Sequence, residues 1–201
     1  KRVNEIFENI ESWFGGPFQP GSALDFGCGV GRILAPLATR CRKVHGIDVS
    51  PDMLEIARRR AREKGLENVF LHCAADASAE QPESHDLVHS HIVLQHIWPR
   101  RGYRIIGQLL AALRSNGIGV LHVTYLNPSR SNWQRRLSML PGGKLAANWI
   151  QKKPVKSPLM LMNEYNLNRI FATIQKISRE PVHLEFTDHG VLGMVVYFRK
   201  A

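Results

Sequence analysis

Leu24-Asp25-Phe26-Gly27-Cys28-Gly29-Val30-Gly31 is the stretch that decides how this chain folds. An apolar, strand-like run leads into it and a helix-like run leaves it. Glycine in a strand-to-helix turn lets the backbone take positive φ and lets a ligand come close. The helix that follows presents free N–H groups to polar or anionic ligand groups. The glycines fall at Gly27, Gly29 and Gly31, a G-x-G-x-G spacing. Arg32 stands where the dinucleotide fingerprint needs its third glycine, which weakens a nicotinamide or flavin reading. An acid about 20 positions further on, closing a second strand, binds a ribose diol in such folds. Asp48, at the end of Val44-His45-Gly46-Ile47-Asp48, fits that place.

Together these residues resemble motif I and its follow-on acid in class I, Rossmann-like S-adenosylmethionine-dependent methyltransferases of the small-molecule type. The resemblance implies S-adenosyl-L-methionine as cofactor. It places Gly27, Gly29 and Gly31 in the cofactor loop and Asp48 on the ribose hydroxyls, with Val49 and Met53 flanking adenine. Asp76, with Ala77 beside it, matches the acid that accepts from the adenine amine. Asp25 matches the acid near the methionine amino end, and the alternative for it is a buried structural acceptor. Ser90 and His91 match positions whose backbone meets the methionyl part.

Outward from the motif, strands and helices alternate. Strands are expected near Ala23–Phe26, Lys43–Asp48, Val69–Cys73, Asp86–His91 and Ile118–Tyr125. Helices are expected over Val30–Thr39, from Pro51 to Lys64, and from Pro99 to Arg114. Ser50-Pro51 reads as an N-cap with proline at the first helical position, and Gly65 as a stop. Val3, Ile6, Phe7 and Ile10 recur at helical spacing, so an amphipathic helix opens the chain over residues 1–14. Val182–Thr187 and Val191–Arg199 flank the turn Asp188-His189-Gly190 and read as a hairpin. The expectation is a single methyltransferase domain over residues 1–201. It is a doubly wound α/β fold with a mostly parallel seven-stranded sheet, a C-terminal antiparallel hairpin and helices on both faces.

Residues 127–160 do not fit a short connection. A stretch of 34 residues between a strand and a helix is long for a compact domain and is often functional. It reads as a helical lid after the fifth strand, with Trp133 and Trp149 to cover an acceptor. The chain carries a net charge of +10, unevenly placed. No acid occurs between Asp86 and Glu164, and residues 127–160 hold seven basic residues, among them Arg135 and Arg136. That suits an anionic small-molecule or carrier-bound acceptor, or else only a solvated face. Cys28, Cys41 and Cys73 have no metal spacing and are odd in number, so a reducing cytoplasm is expected. No apolar run is long enough for a membrane span.

The transfer chemistry asks mainly for alignment of acceptor, methyl and sulfur in a dry site. A hydroxyl acceptor also needs a base. His96, in Ser90-His91-Ile92-Val93-Leu94-Gln95-His96-Ile97, matches a histidine that serves as base in some relatives. The alternative for His96 is a structural histidine shaping the turn. Tyr165 and His189 are further acceptor-side candidates, expected near the crevice mouth and at the sixth strand's end, the alternatives being a core side chain and ordinary hairpin-turn chemistry. No Asn/Asp-Pro-Pro-aromatic motif and no Pro-Cys pair occurs, which disfavours DNA amine and cytosine C5 chemistry, and no metal is expected. An RNA-modifying enzyme and a non-catalytic cofactor-binding regulator are the alternatives to small-molecule methyl transfer.

Overall fold

The computed structural model describes residues 2–74, 83–128 and 162–201. Its elements run α1 (Arg2–Phe14), β1 (Ser22–Phe26), α2 (Leu34–Ala38), β2 (Lys43–Asp48), α3 (Pro51–Glu63), β3 (Val69–Cys73) and β4 (His85–Ser90). A single 3-10 turn, Leu94–His96, precedes α4 (Pro99–Ala112) and β5 (Leu113–Leu126). The chain closes with α5 (Leu167–Ile174), β6 (His183–Asp188) and β7 (Leu192–Arg199).

The seven strands form one sheet in the order β3-β2-β1-β4-β5-β7-β6. The first five pair in parallel, and β7 runs antiparallel to both β5 and β6. β6 therefore points the same way as β5, and its carboxyl end joins those of the parallel strands. Strand alternation splits the core. Ala23, Leu87, Val120 and Val195 face the α1–α3 layer, whereas Leu24, Val88, Leu121 and Val196 face α4 and α5. The amphipathic first helix is present, with Val3, Ile6, Phe7 and Ile10 all buried. Each such side chain gains about 1.5–3 kcal/mol from burial. Among the described residues, no helix is long and apolar enough to cross a membrane.

Three boundaries differ from expectation, each for a local reason. The helix expected from Val30 begins only at Leu34, because Gly31 sits at φ +77° and breaks right-handed geometry. The helix expected to reach Arg114 stops at Ala112. Leu113 already pairs with His85, and the Arg114 guanidinium is drawn to Asp86 at 3.2 Å. β4 ends one residue early, at Ser90, because Ile92 turns the chain off the sheet at φ +58°. The lid expected over 127–160 falls almost wholly outside the described residues, as do Asp76, Ala77, Trp133, Arg135 and Arg136.

Candidate active site

The site grows from the carboxyl end of β1. Gly27 takes φ +77° and Gly29 takes φ +52°. The amides of Gly27 and Cys28 both donate to the Ile47 carbonyl, at 2.7 and 3.0 Å, which staples the loop to β2. A Cβ on Gly27 would lie 2.2 Å from a Val93 methyl, so no other residue fits between β1 and the loop after β4. Gly29 is different. Nothing stands within 4 Å of its missing side chain, so its glycine keeps the backbone bare toward the crevice. Gly31 serves packing, with Ala57 of α3 at 3.1 Å from the position a Cβ would take.

Asp48 is held by backbone. Its Oδ2 accepts from the Gly29 amide at 2.8 Å and its Oδ1 from the Ser50 amide at 2.9 Å. Each carboxylate oxygen keeps a further lone pair for a ligand hydroxyl. Ser50 then caps α3 by accepting from the Met53 amide at 3.3 Å. Asp48, Gly27 and Val49 line a cavity of about 550 Å³, together with Ala74, Ile92, Val93, Trp98, Arg101 and Ile105. Val49, Met53, Ile92 and Trp98 are large apolar side chains left exposed at this end of the molecule. A bare glycine loop, an anchored carboxylate and an apolar cavity of this size fit an adenosyl cofactor. The Cys28 thiol sits in the loop but is no nucleophile. Burial, then Asp25 and Asp48, push its pKa far up.

His96 lines the same cavity as Asp48, Val49 and Ala74, and its side chain is exposed there. Its turn is clamped from behind. Tyr165 donates to the carbonyls of Leu94 and Ile97 at 2.9 and 3.0 Å, and Asn163 donates to those of Gln95 and Ile97. Thr124 donates to Gln95 Oε1 at 3.0 Å. The expectation that Tyr165 sits at the crevice mouth is thus corrected. It is 2 % exposed, wedged against Gly102, with its hydroxyl on the carbonyls of the 3-10 turn, that of Leu94 already bonded to the Ile97 amide.

Asp25 is equally buried. Its Oδ1 lies 2.8 Å from His89 Nδ1. His89 Nε2 is buried with no hydrogen-bond partner among the described residues. Ser90 Oγ is in the same condition. Beyond His89 stand three more imidazoles. His91 lies 4.9 Å from His122 and 6.0 Å from His189, and the His89 and His91 rings are parallel at 6.2 Å, centroid to centroid. His122 Nε2 is 2.9 Å from the Thr187 hydroxyl. Burial lowers the His91 pKa to about 3 and that of His122 to about 4, with neighbouring imidazoles and Arg2 adding to it. Of this group, His91 and His189 were legible candidates. His89 and His122 were missed, since each reads as an ordinary strand residue until β4, β5 and β6 are side by side. Among the described residues no cluster suited to a metal ion occurs.

Comparison with known proteins bears on this geometry. The family described as methyltransferase domain matches residues 23–117. The chain is similar to a ubiquinone biosynthesis O-methyltransferase of Ruegeria sp., 34% identical over 112 residues, which is 56% of this chain and 44% of that protein. A second, from Chelativorans sp., is 32% identical over 48% of this chain and 40% of that protein. The chain therefore spans less than half the length of these curated relatives. In fold it is similar to an S-adenosylmethionine-dependent methyltransferase structure from Methanosarcina mazei, TM-score 0.68 at 18% identity over 100% of this chain and 97% of that one. It is also similar to magnesium protoporphyrin IX methyltransferase from Synechocystis with bound S-adenosylhomocysteine, TM-score 0.65 at 16% identity, covering 100% and 82%.

Proposed function

We propose that the chain is a class I S-adenosylmethionine-dependent methyltransferase and that it transfers a methyl group to a hydroxyl of a small-molecule acceptor. The observation that carries this is Asp48, fixed by the Gly29 and Ser50 amides at the wall of the cavity. When bound, the cofactor supplies an activated methyl on a sulfonium sulfur. The residues of the chain do the rest. Asp48 takes the ribose hydroxyls with charge-assisted hydrogen bonds. Val49, Met53 and Trp98 give the base an apolar berth and exclude water. The glycine loop approaches without side chains. Of the two readings of His96, acceptor base or structural histidine shaping the turn, the clamping of its 3-10 turn by Tyr165 and Asn163 favours the second.

Hydroxyl rather than amine transfer is supported by the O-methyltransferase relatives. An anionic acceptor, free or carrier-bound, is supported by the acid-free stretch between Asp86 and Glu164, and by Arg101 at the cavity wall. Trp133, Arg135, Arg136 and the lid belong to the same proposal, with Asp76 and Ala77 on the adenine. The test is calorimetry with S-adenosylhomocysteine, followed by transfer of a labelled methyl group into pooled small molecules and into mixed RNA. Binding with label in the small-molecule fraction is expected. Tight binding of NAD in place of S-adenosylhomocysteine, or label only in RNA, overturns the reading.

A further inference from the structure

Methyl transfer to a hydroxyl releases a proton, which a group of the chain or water must take up. The described residues hold nine-tenths-buried imidazoles elsewhere at the same sheet edge. His89 is 2 % exposed with an unpartnered Nε2, and His122 is 2 % exposed. By strand alternation both lie on the α1 side of the sheet, opposite the side that α4 covers. His91 is the hub of the group, in ring contact with His89, His122 and His189. His189 is exposed, so the row runs from solvent inward.

His91 is also the member closest in sequence to the cofactor cavity, since Ile92 and Val93 line it. Ile92 is a β-branched residue held at φ +58°. Such a conformation is costly, of order 1–3 kcal/mol, and persists where the surroundings enforce it. Here it marks the point where the chain leaves β4, between the imidazole row and the residues of the cavity wall.

We propose that His91 takes the acceptor's hydroxyl proton, in a wall of imidazoles completed by His122 and His189. The inference rests on the hydroxyl-directed reading above. The new oxygen–carbon bond forms as the sulfonium carbon–sulfur bond breaks and leaves its electron pair on sulfur. The hydroxyl proton passes to the free ring nitrogen of His91, and from there by way of exposed His189 to water. Every atom and charge is accounted for, with no co-reactant.

A weak base suffices for this. The oxygen becomes strongly acidic as it gains the methyl, so the proton can follow the methyl rather than precede it. The groups that surround the wall suit a neutral imidazole. Arg2 of α1, with its partner Glu185 of β6 at 3.4 Å, stands on one side. Asp25 of β1 stands behind His89, and Thr187 of β6 holds His122. Burial first, then the neighbouring imidazoles and Arg2, keep His91 and His122 unprotonated, and so able to accept, far into the acid range.

The test is nitrogen NMR of the histidine side chains in the full chain saturated with S-adenosylhomocysteine, titrated with catechol as a hydroxyl probe. His91 and His122 resonances should move, and those of His45 and His72, at the β2–β3 edge, should stay. In parallel, methyl transfer to catechol from the labelled cofactor is followed in His91→Gln and in the control His72→Gln. His91→Gln should lower turnover by roughly tenfold, below the 10²–10⁴ of a general base tuned near the working pH, because so weak a base assists late. Its affinity for S-adenosylhomocysteine should stay within twofold of wild type, and wild-type turnover should persist below pH 5. Failure of the wild type to bind S-adenosylhomocysteine sinks the underlying reading. Normal binding with catechol leaving the His91 resonance unmoved, or with His91→Gln turnover within twofold of wild type, overturns this inference alone.

Discussion

The two halves of the sheet's carboxyl edge are built in different currencies. On the β1–β2 side the working parts are backbone: Gly27 and Gly29 at positive φ, and two amides on the Asp48 carboxylate. On the β4–β5–β6 side stand side chains, four imidazoles drawn from β4, the residue just past its end, β5 and the β6–β7 turn. A site made of backbone tolerates few residue types at each position, so it leaves a local pattern. A site made of side chains from distant strands leaves none.

If the halves differ in this way, the harshest substitution should fall on the backbone half. Gly27→Ala must take a Cβ into Val93 at 2.2 Å and hold alanine at φ +77°. Overpacking and left-handed strain together should cost about 2–5 kcal/mol of folding stability. Urea unfolding measures it. Gly27→Ala with Val93→Ala should recover the packing part and leave the strain. Full recovery would mean that the loop's conformation does not depend on glycine.

Next in size is the carboxylate. Asp48→Ala should weaken S-adenosylhomocysteine by about 1.5–3 kcal/mol, the range for hydrogen bonds to a charged group, read by calorimetry. His91→Gln should leave that affinity alone. Equal losses in both variants would erase the division into a cofactor half and an acceptor half. Unchanged affinity in Asp48→Ala would remove Asp48 from the site.

Between the halves lies the 3-10 turn that carries His96. Tyr165→Phe removes one hydroxyl that serves two carbonyls at 2.9 and 3.0 Å. A loss of about 1 kcal/mol is expected, the net worth of a buried hydrogen bond, because the Leu94 carbonyl keeps the Ile97 amide and the Ile97 carbonyl keeps Asn163. Thermal unfolding checks it, and the same variant should change cofactor affinity little. A large affinity loss with unchanged stability would make Tyr165 part of the ligand surface after all.

The sequence reading reached the backbone half almost completely. The strand–loop–helix order, the glycine spacing, Asp48 and the Ser50 cap are all local, within a few residues of each other, and each has one physical reason. The hairpin was legible too, from β-rich runs around a short turn. What stayed hidden depends on register between strands far apart in sequence. His122 meets Thr187 across 65 residues, and Tyr165 meets Leu94 across 71. No periodicity encodes such pairs. Helix α5 was expected only as an unplaced helix beyond the long insertion. α2 starts at Leu34 rather than Val30 because Gly31, part of the motif, also ends right-handed geometry there.

The smallest effect concerns pH and the imidazole wall itself. His91 and His122 have folded-state pKa values of about 3 and about 4, against the ordinary 6.5 of the unfolded chain. Above about pH 6.5 neither state holds these protons, and the pair contributes nothing to the slope. As pH falls from 6.5 toward 4, the unfolded chain takes up protons that the folded chain refuses. The unfolded state then binds more protons, so stability falls as pH falls through this window. In His91→Gln with His122→Gln the refusal is gone, and the fall from pH 7 to pH 4.5 should be shallower. With solvent screening at the half-buried His91, the difference is on the order of 1 kcal/mol. Urea midpoints at the two pH values, with a common slope, give it directly. An equal fall in wild type and double variant would mean that the wall already carries protons when folded. It would then be a cationic patch rather than a proton acceptor, and the side-chain half of the comparison would have to be redrawn around charge.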